Sequence, residues 1–283
     1  MLPLAQDAFG DWRLNDAQFL ASRRMPTDAD RIDVLRLRHP MQRESRISFD
    51  AETHLYKVDG TLIVPRSVTG LLKEYGAEFD AHRAAELMLA NEQSRRREAY
   101  RKPEGSFHTP EEVVAQWIAH GNVQRARGQL LHFQAEQLVQ GRSVEEPWSP
   151  ELQQASAIWD ALQQWGLRAL RTEVSIFHCG LRVAGQPDLL AVAPDGSLIV
   201  IDWKRCAQLD FDCRFRTMKP PLEHLPDSKF WKYALQVRAS HEAQEKKFHI
   251  FFFCHRGGEF VRLHFGDRVR PSRQPAVPCG GAP

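Results

Sequence analysis

Two aspartates and a lysine, Asp188, Asp202 and Lys204, carry the clearest chemical signal in the chain. The turn sequence Pro194-Asp195-Gly196-Ser197 lies between the two acids. A hairpin centred on Asp195 sets residue 188 opposite residue 202. Opposed Cβ atoms on neighbouring strands lie about 4.5–5.5 Å apart. Two carboxylates held that close repel one another, and a divalent cation between them turns the repulsion into binding. Hard cations such as Mg2+ take oxygen ligands, commonly one or two carboxylates together with substrate phosphates. Side chains alternate along a strand, so Asp202 and Lys204 share one face while Trp203 points to the other, into the core. An ammonium group beside a metal can orient a water or stabilise charge developing on a phosphate. The spacing alone is loose, and a surface ion pair between Asp202 and Lys204 in a purely structural protein also satisfies it.

Two further residues belong to this constellation. His132 falls on a helix read over about Asn122 to Val139. A lone helical histidine is most often a packed or solvated residue. Gly128, however, lies four residues earlier on the same helix face. Glycine inside a helix costs about 1 kcal/mol relative to alanine, a cost that close approach of another backbone or a ligand would justify. Glu173 opens the first strand of the segment. It is either an ordinary exposed strand end or the residue that completes an acidic cluster with Asp188 and Asp202.

The elements that must position these groups follow from hydrophobic period and turn chemistry. Strands are expected over Glu173 to Phe177, Arg182 to Val192 (kinked at Gly185 and Pro187) and Leu198 to Lys204. Leu198-Ile199-Val200-Ile201 is apolar on both faces, as a central strand covered on both sides requires. Upstream, Asp59-Gly60 between two alternating runs marks a hairpin, and Ser67 caps a helix over Val68 to Tyr75. A helix over about Ala81 to Ala99 carries Arg95-Arg96-Arg97, either a solvated face or a phosphate-contacting patch. Thr109-Pro110-Glu111-Glu112 is a helix start with a capping box, and that helix should run to about His120, before the one that bears His132. Pro150 to about Leu167 reads as a further helix. After a Pro-rich loop at Met218 to Pro226, a helix over Asp227 to Gln244 and strands over His249 to Cys254 and Glu259 to Phe265 complete the pattern. Residues 1–46 read as a partly disordered extension with one short helix near Asn15 to Arg24. Residues 266–283, rich in Pro and Gly from Pro271 on, read as a disordered tail.

Whole-chain properties bound the function without naming it. The chain has 283 residues, 42% of them apolar, so a sizeable core can form. No apolar stretch has the length of a membrane helix. A net charge of +2 neither supports nor excludes nucleic-acid binding. The five cysteines form no C-x-x-C pair, which argues against a zinc site and suggests reduced thiols and an intracellular location. Nucleus, cytoplasm and mitochondrion remain open. Asp7 and Asp11 argue against a secretory or mitochondrial leader.

The ordered set Gly128-Gln129-Leu130-Leu131-His132, Glu173, Gly185-Gln186-Pro187-Asp188 and Ile201-Asp202-Trp203-Lys204 resembles the motifs of RecB-like PD-(D/E)XK nucleases. That group includes mitochondrial genome maintenance exonuclease and viral and CRISPR-associated exonucleases. His54-Leu55-Tyr56-Lys57-Val58-Asp59-Gly60 with Ser67-Val68-Thr69 is similar to their N-terminal region, and the resemblance covers roughly residues 47–240. It implies an α/β fold, a restriction-endonuclease-like mixed sheet flanked by helices. The implied nuclease domain would span residues 47–265, with a helical region at about 67–167 and a catalytic core at about 171–265. It implies that His132, Asp188, Asp202 and the Trp203 carbonyl hold Mg2+ or Mn2+, that Lys204 is the catalytic lysine, and that Glu173 is the acidic residue ahead of the metal hairpin. Gln236 matches the glutamine of a Gln-x-x-x-Tyr motif that contacts substrate. Arg125 and Arg127 are further candidate phosphate contacts. The implied reaction is phosphodiester hydrolysis on DNA, by an exonuclease acting on single-stranded ends, with no membrane partner. Gln129 departs from the family threonine, and Ser240 stands where the motif expects tyrosine. The latter leaves open a decayed relative that binds DNA without cutting it. Iron–sulfur relatives carry a cysteine before the core, whereas none here precedes Cys179, so no such cluster is expected.

Overall fold

The computed structural model describes residues 18, 20–27, 30–31, 33–50, 53, 55–60, 62–64, 66–145, 148–180, 182–205, 210–213, 216–242, 248–253, 260–265 and 269–274. The protein is of mixed α/β class, as expected, and divides into two compact units. The first comprises Met1–Asp30 and Glu78–Leu130, the second Arg31–Ala77 and Leu131–Pro283. Among the described residues no helix is long and apolar enough to cross a membrane.

In the first unit, Ala81–Ala90 and Arg95–Glu98 form separate helices where one was expected. Asn91 ends the former, its N–H donating to the carbonyls of Leu87 and Met88. Ala85, Tyr100 and Val113 form the core, with Met88, Leu89 and Trp117 packed against it. The capping box is present: Glu112 N–H donates to Thr109 Oγ1 at 3.3 Å and Thr109 N–H to Glu112 Oε2 at 2.8 Å. The helix it starts, Pro110–Val139, continues through Gly121 for 30 residues instead of stopping near His120. Its residues from Leu131 onward belong to the second unit.

The second unit is built on a six-stranded mixed sheet. In chain order, β1 (Ile47–Asp50), β2 (Leu55–Val58) and β3 (Leu62–Val64) form a small antiparallel sheet, and β4 (Arg66–Ser67) pairs with β7 (Val183–Gly185), which pairs with β6 (Ile176–His178). The main sheet has the order β12 (Val269–Gln274), β11 (Phe260–Phe265), β10 (Phe248–Phe253), β9 (Leu198–Asp202), β8 (Leu189–Val192), β5 (Arg168–Thr172). β9 and β10 run parallel, and their connection passes through the helix Lys229–Glu242. The remaining pairs of the main sheet are antiparallel.

β9 is buried on both faces, as its composition requires. Ile199, Ile201 and Trp203 face Leu131, Ala135 and Val139 of the long helix together with Leu152, Trp159 and Leu162 of the helix Pro150–Gln164. Val200 faces Phe230 and Ala234 of Lys229–Glu242. Ser149 caps the start of Pro150–Gln164, accepting from Leu152 N–H at 3.2 Å. Gly166 follows that helix with φ +83°, and a Cβ there would stand 2.7 Å from Pro194 Cγ. Gly166→Ala should therefore lower stability by about 2 kcal/mol, through combined backbone strain and overlap, measured by urea unfolding.

Several local expectations are revised. The strand expected over Arg182 to Val192 is two strands in different sheets, because Gly185 and Pro187 interrupt it. β5, which precedes Glu173, was not expected, and Glu173 follows a strand instead of opening one. Residues 33–46, read as an extension, supply the helix Val34–Arg38, and Leu35 enters the main core. β12 carries regular pairing into the segment read as a disordered tail. The remainder of that tail, and part of the helix expected near Asn15 to Arg24, lie outside the described residues.

Candidate metal centre

The hairpin register is the one that the turn chemistry predicts. Leu189 pairs with Ile201, so Asp188, just before β8, stands opposite Asp202 at the end of β9. Asp195 closes the turn by accepting from Ser197 N–H at 2.9 Å. Trp203 N–H donates to Asp188 Oδ2, and the Trp203 side chain is buried in the core. His132 brings Nδ1 to 3.2 Å from Asp188 Oδ1.

Glu173 reaches the same place by an unusual backbone. Its φ is +46°, a left-handed conformation that costs a non-glycine residue about 1–2 kcal/mol. Its N–H donates to the Asp188 carbonyl at 3.1 Å, and its own carbonyl accepts from Gln186 Nε2 at 3.3 Å. Ligand atoms of His132, Glu173 and Asp188 all lie within 4.8 Å of one another. Asp202 is not in that group. Its Oδ2 faces the Lys204 ammonium, and its Oδ1 accepts from Gln236 Nε2 at 3.3 Å. Lys204 Nζ in turn lies 5.7 Å from the ring centroid of Tyr233, one helical turn before Gln236. The site is graded in exposure: the side chains of Asp202 and Asp188 are 3% and 8% exposed, those of Lys204, Glu173 and His132 18%, 23% and 26%. Solvent therefore meets the imidazole and the Glu173 carboxylate, while the aspartates form the floor.

The electrostatics match that crowding. Burial alone would lower His132, but the Asp188 charge outweighs it and the imidazole is pushed up to about 9. Burial and the Asp188 charge push Glu173 up to about 8. Asp188 lies below the ordinary carboxylate range in spite of burial, because His132, Lys204 and the Trp203 N–H favour its charged form. Burial, opposed by Lys204 and reinforced by Asp188, pushes Asp202 up to about 6. Lys204 is raised, since Asp202 and Asp188 overcome the burial that works against its charge. Neighbouring acids thus titrate in opposite directions, a pattern concentrated at functional sites.

The donor set suits a divalent ion: carboxylates favour Mg2+ and Mn2+, and the imidazole adds a nitrogen ligand compatible with first-row metals. Residues missed by the sequence reading complete the surroundings. Arg205, directly after Lys204, forms a buried ion pair with Glu151 of the helix Pro150–Gln164. Tyr56 of β2 is pushed up to about 12 by burial and by the Glu173 charge. Tyr233, beside Lys204, was missed too, and it alone had a readable signal, its helical spacing from Gln236.

Other expected contributors fall elsewhere. Arg125 is exposed and donates to Asn122 Oδ1 at 2.9 Å, whereas Arg127 is buried. Both belong to the first unit, as does Arg97, whose guanidinium stacks on Phe107 at 4.1 Å. Among the described residues no other backbone approaches Gly128: a Cβ there would meet nothing within 4 Å. The side chain of Ser240 lies outside what the structure describes. No family model matches the chain, and no curated protein matches it.

Proposed function

We propose that the chain is a metal-dependent deoxyribonuclease with a restriction-endonuclease-like PD-(D/E)XK core, an exonuclease that trims single-stranded DNA ends. The observation that carries this reading is the convergence of His132, Glu173 and Asp188 within 4.8 Å, with the Asp202–Lys204 pair directly alongside. These groups come from a helix, a strand end and a hairpin far apart in sequence, and they are the residues on which the motif resemblance rests. A surface ion pair needs none of that convergence.

His132, Asp188 and Glu173 would hold Mg2+ or Mn2+, with Asp202 and the Trp203 carbonyl as the remaining candidates on the neighbouring strand. A divalent ion bound there supplies Lewis-acid polarisation of a phosphate oxygen and lowers the pKa of a water. Lys204 places a fixed positive charge where a scissile phosphate gains negative charge, and its partial burial strengthens that interaction relative to bulk water. Gln236 and Lys204 together fix the rotamer of Asp202. Arg125 remains a candidate phosphate contact, one that positions a strand without reading its sequence.

The test is incubation with single-stranded DNA and Mn2+, then with EDTA. Cleavage that EDTA abolishes is the expected result. DNA binding without metal-dependent cleavage would identify a decayed relative, and neither binding nor cleavage would leave a structural protein.

A further inference from the structure

Among the described residues a fourth carboxylate, Glu136, stands beside Glu173, Asp188 and Asp202. It lies one helical turn beyond His132 on the long helix, on the same face. Its side chain is 4% exposed, and its two oxygens are separately engaged. Oε1 accepts from Gln140 Nε2 at 3.4 Å and from Thr172 Oγ1 at 3.5 Å. Oε2 accepts from Arg31 Nη1 at 2.8 Å. The same Arg31 nitrogen stands 4.0 Å from Glu173 Oε1. Arg31 therefore bridges a buried acid outside the ligand group to an acid within it. Its segment is anchored next to it, where Val34 N–H donates to Gln140 Oε1 at 2.8 Å.

Charge balance gives this bridge a consequence. Metal ligation requires a neutral imidazole and ionised carboxylates. With His132 neutral, the charges of Glu136, Glu173, Asp188 and Asp202 face those of Lys204 and Arg31, while Asp33 and Arg142, which also act on Glu136, offset one another. One divalent ion brings the sum to zero. A second would leave excess positive charge among buried groups, where uncompensated charge is costly. The position between Glu136 and Glu173 is also where a second ion would find carboxylates on both sides, and the Arg31 guanidinium already occupies it.

We infer that Arg31 is a built-in cation that restricts this centre to a single divalent ion. The inference rests on the metal-dependent reading above and deepens it. Arg31 is a positioning residue here, acting through Glu136 and Glu173 without touching the reacting atoms.

Calorimetric titration with Mn2+ in the absence of DNA tests it, with circular dichroism melts to establish folding. Wild type should bind a single equivalent. Arg31→Gln keeps an amide donor for Glu136 and removes the charge, so it should gain a second, weaker equivalent. Adding Glu136→Gln to that variant should return it to one, and Arg31→Lys should remain at one. A folded Arg31→Gln protein that still takes a single equivalent overturns the inference. So does a wild type that takes two, a result that needs no variant to fold and leaves the metal reading intact. A wild type that binds no Mn2+ overturns both readings together.

Discussion

Lys204→Ala should lower Mn2+-dependent cleavage of single-stranded DNA by at least about a hundredfold, while Mn2+ still raises the melting temperature. Removing one preorganised group that stabilises transition-state charge typically costs about 10²–10³ in rate. The ammonium is held by Asp202 on one side and the Tyr233 ring on the other, and under the proposed reading it would be such a group. Ion binding should persist, because Lys204 is not among the ligand atoms of His132, Glu173 and Asp188. The fold should persist as well. Asp202 is buried and already pushed up to about 6. Deprived of its cation, it can take up a proton and avoid standing as an unpaired buried charge. Initial-rate assays, with thermal melts plus and minus Mn2+, separate the two effects. Unchanged cleavage in Lys204→Ala would remove the lysine from the chemistry. Loss of the Mn2+-induced shift would show that Lys204 builds the ion site itself.

The parts of this centre that were legible in the sequence are those fixed by local rules. Pro194-Asp195-Gly196-Ser197 dictates a tight turn, a tight turn dictates the register, and the register sets Asp188 opposite Asp202. Alternation then sends Trp203 into the core and leaves Lys204 with Asp202. The caps at Ser67 and Thr109 were legible for the same reason, since their partners lie three residues away. What was not legible depends on distant packing. β5 reads Arg-Ala-Leu-Arg-Thr, and Arg171 disguises it, because a fully buried arginine follows no hydrophobic period. With β5 unseen, Glu173 was placed at a strand start, and nothing local announces a glutamate at φ +46°. Its conformation is set by hydrogen bonds to Asp188 and Gln186, both more than a dozen residues away. Arg31 was lost inside a segment that looks like an extension because its apolar residues are few. Gly128 has no described neighbour within 4 Å of a built Cβ, so protein packing does not account for the helical glycine.

Glu44→Ala should destabilise the second unit by about 3–5 kcal/mol, the usual cost of stripping one partner from a buried ion pair. Arg171 of β5 is fully buried. Its guanidinium meets Glu44 in a bidentate pair, Nη1 to Oε2 at 2.7 Å and Nη2 to Oε1 at 2.8 Å, with Asp33 Oδ2 3.6 Å from Nη2. Asp33 and the His39 carbonyl, 3.4 Å from Nη1, are too weakly placed to replace the lost carboxylate. The Arg171 hydrogen bonds hold Glu44 below its ordinary carboxylate range, against the opposing effect of burial. A folded-state pKa below the unfolded one gives stability that is fully present above the unfolded value and is lost as the pH falls through the folded one. Wild type should therefore lose stability faster than Glu44→Ala on acidification below about pH 4.5, so that the gap between them narrows. Urea unfolding at neutral and acid pH measures both quantities. A replacement of both partners, Arg171→Met with Glu44→Leu, should recover much of the loss, because a well-packed apolar pair avoids desolvating two charges. If Glu44→Ala unfolds at the wild-type urea concentration, the pair contributes nothing. The fastening of residues 33–46 to β5, and with it the placement of Arg31 beside Glu136 and Glu173, must then come from the apolar contact at Leu35 and the Val34–Gln140 bond.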